Sequence, residues 1–127
     1  MRTLLAVALG GAIGSGLRFL VSHIIQENTM VGFPLATLTV NVVGCLLIGF
    51  FYGIPTLNSG NNELKALLTT GLCGGFTTFS TFCNENLMLL RGGSSLTSVV
   101  YAVCSLVGGL LAVVAGYELA ALLWQRN

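Results

Sequence analysis

GLCGGFTTFSTFC, residues 71–83, is the stretch that most constrains the architecture of this chain. It lies inside a long apolar segment, yet its composition opposes a regular helix. Adjacent glycines such as Gly74 and Gly75 each cost about 1 kcal/mol relative to alanine in a helix interior. The hydroxyl side chains between Thr77 and Thr81 offer the backbone competing hydrogen bonds. Irregular backbone at membrane depth is tolerated only where it is buried in protein or lines a watery cavity, so the stretch predicts a broken transmembrane helix and a candidate site.

The composition indicates an integral membrane protein. Of the 127 residues, 54% are hydrophobic and only 7% are charged, whereas soluble domains carry about 25% charged residues. The net charge of +1 leaves no basic cluster for a nucleic acid. The four cysteines have no CxxC spacing and no histidine partner, so they are interpreted as packing residues. An enzyme is the least favoured class, because the embedded Cys, Ser and Thr residues lack a histidine base at any suggestive spacing.

Four apolar segments predict four membrane spans, because a helix of about 20 residues crosses the hydrocarbon core. A straight helix over residues 66–90 would measure roughly 37 Å, against a core of about 30 Å, which favours a broken or tilted third span. The chain is therefore predicted to form one all-α membrane domain over residues 1–127, with both termini on the same side. The predicted spans are residues 3–25, 35–54, 63–90 and 96–123, and the predicted connections are a loop at 26–34, a polar turn at 55–62 and a loop at 91–95.

Small residues at helical spacing predict close helix packing and a homodimer. Gly10 and Gly14 form a GxxxG pair, and Gly108, Ala112 and Gly116 follow one another at intervals of four; small side chains let backbones approach closely. Four short helices enclose a hydrophilic path poorly on their own, so a second copy is expected. The positive-inside rule gives only a weak orientation, which permits insertion in both directions; the charges are Arg2, Lys65 and Arg126 on one side, and Arg18 and Arg91 on the other.

Polar side chains within the spans supply more hydrogen-bond donors than carboxylates. Asn41 brings an amide group, and Tyr101, Ser105 and Gly109 share one face of the fourth helix. Hydroxyls and amides without a central carboxylate can replace the hydration shell of a small anion. The alternative is interhelical hydrogen bonding, worth about 0.6 kcal/mol per bond. That alternative is favoured for Ser105 taken alone, and both interpretations stay open for Asn41.

The residues that flank the break carry two further hypotheses. Phe79 and Phe82 would share a face if the helix resumes after the break, and phenyl edges are electropositive. Carbonyl oxygens freed between Gly74 and Thr78 can coordinate sodium, as unwound backbone does in discontinuous helices. Arg18, after fifteen uncharged residues, either extends to the interface, which is the favoured interpretation from the residues alone, or points into a wet cavity.

GGFTTFSTF at residues 74–82, followed by Glu85, resembles the third-helix motif of the CrcB/Fluc fluoride channels. GAIG at 11–14 with LRF at 17–19 is similar to the first helix of that family, and TLTVNVVG at 37–44 is similar to the second. Tyr101 with Ser105 is similar to the fourth. The resemblance covers essentially the whole chain.

The resemblance implies an antiparallel, dual-topology homodimer in the bacterial cell membrane, with two fluoride pores and no other protein partner. It implies a sodium ion on the two-fold axis, held by backbone carbonyls at Gly74 and Thr77 of each copy. Gly109 and Cys83 depart from the family pattern, since some relatives have serine at these positions. The resemblance implies that Arg18 lies in the vestibule, and this interpretation replaces the interfacial one. It leaves the role of Glu85 open. The pore residues that it implies are Thr37, Asn41, Phe79, Thr81, Phe82, Tyr101 and Ser105.

Passive fluoride efflux that confers fluoride resistance is the leading functional hypothesis. A small four-helix proton-coupled exporter of drugs or cations is the alternative, but it needs an embedded carboxylate, and the first helix has no Asp or Glu before Glu27. A structural or assembly subunit without transport activity is the third possibility.

Overall fold

The computed structural model describes residues 1–28 and 32–125, and every regular element in them is helical. Three of the helices, Arg2–Asn28, Leu35–Gly53 and Ser95–Gln125, are long and apolar enough to cross a membrane by length and composition, in agreement with the predicted all-α membrane class. The elements in order are α1 (Arg2–Asn28), α2 (Leu35–Gly53), α3 (Pro55–Ser59), α4 (Asn62–Ala66), a π-helical segment (Leu67–Cys73), α5 (Gly74–Phe76), α6 (Phe79–Arg91) and α7 (Ser95–Gln125).

Two connections differ from the sequence-based prediction. The loop predicted at residues 26–34 begins later, because α1 continues to Asn28, whose Nδ2 donates to the Ile24 carbonyl at 2.7 Å. Residues 29–31 of that loop and the predicted surface charge Arg126 lie outside the described residues. The turn predicted at 55–62 contains helix α3, which Pro55 can start because its missing N–H is not needed in a first helical turn.

The predicted interruption of the third segment is present, but it is narrower than the sequence suggests. The backbone is extended at Thr77 (φ −86°, ψ 159°) and Thr78 (φ −148°, ψ 116°). The placement of the break from Gly74 onward is wrong, because Gly74 and Gly75 are helical in α5. A Cβ on Gly75 would lie 2.5 Å from the Gly11 carbonyl oxygen. This glycine therefore permits close packing against α1 and does not itself break the helix.

Glycines line the two main helix interfaces. α1 packs against the π-helical segment and α5, and α2 packs against α7. A Cβ on Gly14 would collide with the Leu72 carbonyl oxygen, and one on Gly116 with the Leu46 carbonyl oxygen. The predicted close approach is thus confirmed for Gly10, Gly14 and Gly116, whereas Gly108 has ordinary contact with the Val42 side chain.

Candidate functional site

Asn41 bridges the interruption in the third segment. Its Oδ1 accepts from the Thr78 N–H at 2.7 Å, and its Nδ2 donates to the Thr78 carbonyl at 3.0 Å. The side chain therefore replaces both hydrogen bonds that Thr78 would make in a continuous helix. The sequence left two interpretations of Asn41 open. Hydrogen bonding between helices uses one of the two hydrogens of its amide group, and the other N–H is left for a further acceptor.

Thr78 also restarts the helix as the N-cap of α6. Its Oγ1 accepts from the Thr81 N–H at 3.3 Å and donates to the Thr81 Oγ1 at 3.0 Å. Threonine is a favoured N-cap because its oxygen satisfies one of the unpaired N–H groups of a first turn. The hydroxyl residues that predict a weakened helix thus fix where the next helix begins.

The break frees particular carbonyl groups. In a continuous helix the N–H of Thr78 would donate to the Gly74 carbonyl, and that of Thr81 to the Thr77 carbonyl. Both N–H groups bond elsewhere, to Asn41 and to Thr78. The carbonyls of Gly74 and Thr77 lose those partners, and a Cβ on Gly74 would meet no atom within 4 Å, so the region beside it is open.

Among the described residues, no group of three or more His, Cys, Asp or Glu side chains can hold a metal ion. Any cation near the break would therefore rely on backbone and hydroxyl oxygens. Such oxygens suit a hard cation such as sodium, and the freed carbonyls of Gly74 and Thr77 fit that requirement.

Four of the predicted pore residues line one small cavity of about 170 Å³: Asn41, Phe79, Phe82 and Ser105. The Phe79 and Phe82 ring centroids are 5.7 Å apart. The Ser105 Oγ is buried and has no hydrogen-bond partner among the described residues. Leaving a buried donor unpaired costs about 1–3 kcal/mol, so this hydroxyl is available to an acceptor that enters the cavity.

Glu85 is held by hydroxyl groups from two other helices. The Thr37 Oγ1 donates to its Oε1 at 2.6 Å, and the Tyr101 Oη donates to its Oε2 at 2.7 Å. Tyr101 is fully buried, and its ring centroid is 5.1 Å from that of Phe82. The two hydroxyl residues on this face of α7 thus have different surroundings: the Tyr101 phenol extends to the carboxylate, and Ser105 lines the small cavity.

A second pair, Asn86 and Ser98, was not found from the sequence. The Asn86 Nδ2 donates to the Phe82 carbonyl at 2.9 Å, and the Ser98 Oγ donates to the Asn86 Oδ1 at 2.8 Å. Ser98 is buried. The only available sequence signal was that a polar residue on an apolar helix needs a partner, which does not identify that partner.

The predicted vestibule residue Arg18 lines a cavity of about 300 Å³ with Thr37, Thr81 and Glu85. Arg18 is half-buried, and no carboxylate of the described residues forms an ion pair with it. The cavity therefore has one positive and one negative side chain in its lining, Arg18 and Glu85.

The structure thus separates the predicted site residues into distinct cavities. Gly74 and Thr77 line a further one, of about 350 Å³. Gly109 is buried against α2. A Cβ there would lie 3.3 Å from the Cys45 Sγ, so the glycine makes room for that thiol.

Comparison with known proteins assigns the family. Residues 5–117 match the family described as CrcB-like protein, Camphor Resistance (CrcB). A protein of Phocaeicola vulgatus named Fluoride-specific ion channel FluC is 46% identical over 116 residues, which cover 91% of this chain and 96% of the relative. Proteins with the same name from Flavobacterium psychrophilum (44% over 121 residues; 94% and 98%) and Aquifex aeolicus (47% over 120 residues; 94% and 97%) are similar over the same region. The chain therefore belongs to the CrcB-like family.

Proposed function

We propose that this protein is a fluoride-selective ion channel that exports fluoride passively and confers fluoride resistance. Its relatives are named as fluoride-specific ion channels, which makes it a transport protein and not an enzyme. The observation that carries the proposal is the cavity between Asn41, Phe79, Phe82 and Ser105, because it combines free donors with aromatic walls and contains no carboxylate.

The chemistry of this cavity suits a small anion. The Ser105 hydroxyl and the second Asn41 N–H are donors, and the positive edges of the Phe79 and Phe82 rings add weak attraction without competing as water does. Arg18 supplies a positive charge to the neighbouring cavity, which Glu85 also lines. Thr37 and Thr81 add hydroxyls to the neighbouring cavity, and Glu85 fixes the positions of the Thr37 and Tyr101 hydroxyls by accepting a hydrogen bond from each.

The functional unit is proposed to be an antiparallel homodimer of four-span subunits in the bacterial cell membrane. The segment from α4 to α6 is the remaining span, interrupted at Thr77 and Thr78. Phe79 is 76% exposed in the single chain, and a second copy against this face would complete the cavity. The weak charge asymmetry between the two faces is compatible with insertion in both orientations.

A structural sodium ion is proposed at the dimer axis, held by the carbonyls of Gly74 and Thr77. When bound, it supplies positive charge that offsets the cost of bringing an anion near the break. These carbonyls fit that role because the break removes their helical partners. Fluoride efflux from sodium-loaded liposomes should exceed efflux from sodium-free liposomes, and equal rates would remove sodium from the mechanism.

Passive export follows from the chemistry of hydrogen fluoride. The neutral acid crosses a bilayer and dissociates in a near-neutral cytoplasm, which traps fluoride inside. An interior-negative potential then drives the anion outward, with about 2.3 kcal/mol per charge per 100 mV. An exporter coupled to protons needs an embedded carboxylate on the first helix, and α1 has none before Glu27.

Ion flux from liposomes that contain the purified protein tests the proposal. Vesicles loaded with potassium fluoride or potassium chloride are treated with valinomycin, and ion-selective electrodes follow anion release. We expect rapid fluoride release and chloride release at the rate of empty liposomes. Equal fluoride and chloride rates would refute selectivity, and no release of either would favour a structural subunit.

The phenylalanines are tested in the same assay. Phe79→Ile and Phe82→Ile should each greatly reduce fluoride flux while the dimer remains intact on size-exclusion chromatography. Phe51→Ile is the matched control, since Phe51 lines a different cavity at the end of α2. Normal flux in both test variants would exclude the rings from the mechanism.

A further inference from the structure

A second cavity extends from the break toward the C-terminal end of α2. Its hydrogen-bonding groups differ from those of the cavity between Asn41, Phe79, Phe82 and Ser105, called here the fluoride cavity. Its volume is about 350 Å³, and its lining includes Tyr52, Thr69, Thr70, Gly74 and Thr77. Along α2 the lining extends from Gly44 to Tyr52, a distance of about 12 Å along the helix axis. Since α2 ends at Gly53, the cavity connects the end of that helix with the freed carbonyls.

Two hydroxyl groups of this cavity, those of Thr69 and Thr77, offer lone pairs and no free proton. The Thr69 Oγ1 donates to the Lys65 carbonyl at 2.8 Å, and the Thr77 Oγ1 donates to the Cys73 carbonyl at 3.0 Å. A hydroxyl has one proton and two lone pairs, so each of these oxygens can only accept further bonds. Together with the carbonyls of Gly74 and Thr77, these two oxygens can coordinate a cation and cannot donate to an anion, in contrast to the free O–H of Ser105 in the fluoride cavity.

Two more oxygens and one charge occur toward the outer part of the cavity. The Tyr52 and Thr70 hydroxyls form no hydrogen bond with other described residues, and both side chains are exposed. The Lys65 Nζ is 5.1 Å from the centroid of the Tyr52 ring. An ammonium group at this position opposes the approach of a second cation, because like charges repel across a partly hydrated space.

We propose that this cavity is the passage through which a small monovalent cation reaches the carbonyls of Gly74 and Thr77, and that Lys65 limits the rate of that passage. The inference rests on the sodium site of the proposed function and adds its route and its regulation. Thr69 and Thr70 are positioning residues for the moving ion, and Lys65 is a charge barrier at the Tyr52 end.

Exchange of radioactive sodium on the purified protein tests the passage separately from fluoride transport. Protein equilibrated with ²²Na⁺ is diluted into unlabelled sodium, and retained label is measured on desalting columns over time. Thr69→Val removes one acceptor oxygen with little change of shape, and exchange should become about tenfold slower, as expected for losing one bond to a charged group. Lys65→Gln should accelerate exchange by about threefold, because one repelling charge is removed.

Thr39→Val is the matched control, since the Thr39 hydroxyl makes the same type of local bond, to the Leu35 carbonyl at 2.8 Å, but lies outside the cavity. If Thr69→Val does not yield a dimer, Thr70→Val at an exposed position takes its place. Exchange rates that equal those of Thr39→Val and the unsubstituted protein would overturn the passage alone. Absence of any bound ²²Na⁺ would overturn the passage together with the sodium site, and fluoride flux from the same preparation would show whether the channel function stands.

Discussion

The contact of α1 with the π-helical segment and the contact of α2 with α6 join helices by opposite means. The first relies on backbone approach: the space for a Cβ on Gly14 is filled by the Leu72 carbonyl. The second relies on side-chain hydrogen bonds, such as those from Asn41 to Thr78. The first contact therefore depends on the absence of side chains at the glycines, and the second depends on polar side chains that satisfy the backbone at the break.

The largest effect is expected where the glycine contact is broken. Gly14→Ala places a methyl group against the backbone of Leu72 and Phe76, neither of which can move as a flexible side chain can. Overpacking of this kind costs about 1–3 kcal/mol. We expect a large loss of monodisperse protein and a lower melting temperature in detergent, measured by size-exclusion chromatography after heating.

Gly16→Ala is the control in the same helix, because a Cβ there meets no atom within 4 Å. It should match or slightly exceed the stability of the unsubstituted protein, since alanine is the better helix former by about 1 kcal/mol. Equal melting temperatures for the Gly14 and Gly16 variants would contradict the backbone-contact explanation.

An effect of the same order is expected at the polar contact. Asn41→Leu leaves the N–H and the carbonyl of Thr78 unpaired in apolar surroundings, and each unpaired group costs about 1–3 kcal/mol. The melting temperature should fall clearly, and fluoride flux should be lost. Thr39→Val on the same helix removes only a local bond and should change neither measurement; a stable, conducting Asn41→Leu variant would mean that water satisfies the break.

An intermediate effect is expected at Glu85. Tyr101→Phe removes a hydrogen bond to a carboxylate, which contributes about 1.5–3 kcal/mol, and Thr37→Val should act similarly. Because both hydroxyls share Glu85, the stability loss of the double variant should differ from the sum of the two by about 0.5–3 kcal/mol. Tyr117→Phe is the control, since Tyr117 is 48% exposed on the same helix; strict additivity would show that the two bonds are independent.

The smallest effect on stability is expected at Ser105. Ser105→Ala removes a hydroxyl that has no partner, so the melting temperature should stay nearly unchanged while fluoride flux decreases. Ser98→Ala, which deletes a bond to Asn86, should by contrast cost about 1 kcal/mol. A Ser105 variant with full flux would show that this hydroxyl has no role in transport.

The existence of the break was predictable from the sequence, and its position was not. Consecutive hydroxyl residues weaken a helix wherever they occur, so local composition was sufficient to locate the stretch. Whether Gly74 and Gly75 or Thr77 and Thr78 leave the helix depends on α1, which packs against Gly75. The π-helical segment Leu67–Cys73 lies in the same interface with α1, and no residue pattern in the segment indicated it.

Partners distant in the sequence were also beyond prediction from spacing. Asn41 and Thr78 are 37 residues apart, and Thr37 and Glu85 are 48 apart. Spacing by four correctly put Tyr101 and Ser105 near one helix face, but it could not show that the longer phenol extends to Glu85 while the shorter hydroxyl remains in the cavity. Side-chain length and the position of α6 decide that difference.

The alternating order of the glycine interfaces has a consequence for biosynthesis. α1 packs against residues that begin at Leu67, and α2 packs against a helix that begins at Ser95. The two pairings interleave along the chain, so neither consists of consecutive helices. During translation α2 must wait in the membrane with its glycine face uncovered until the 31 residues of α7 emerge. The subunit therefore completes its fold only when its last helix is inserted.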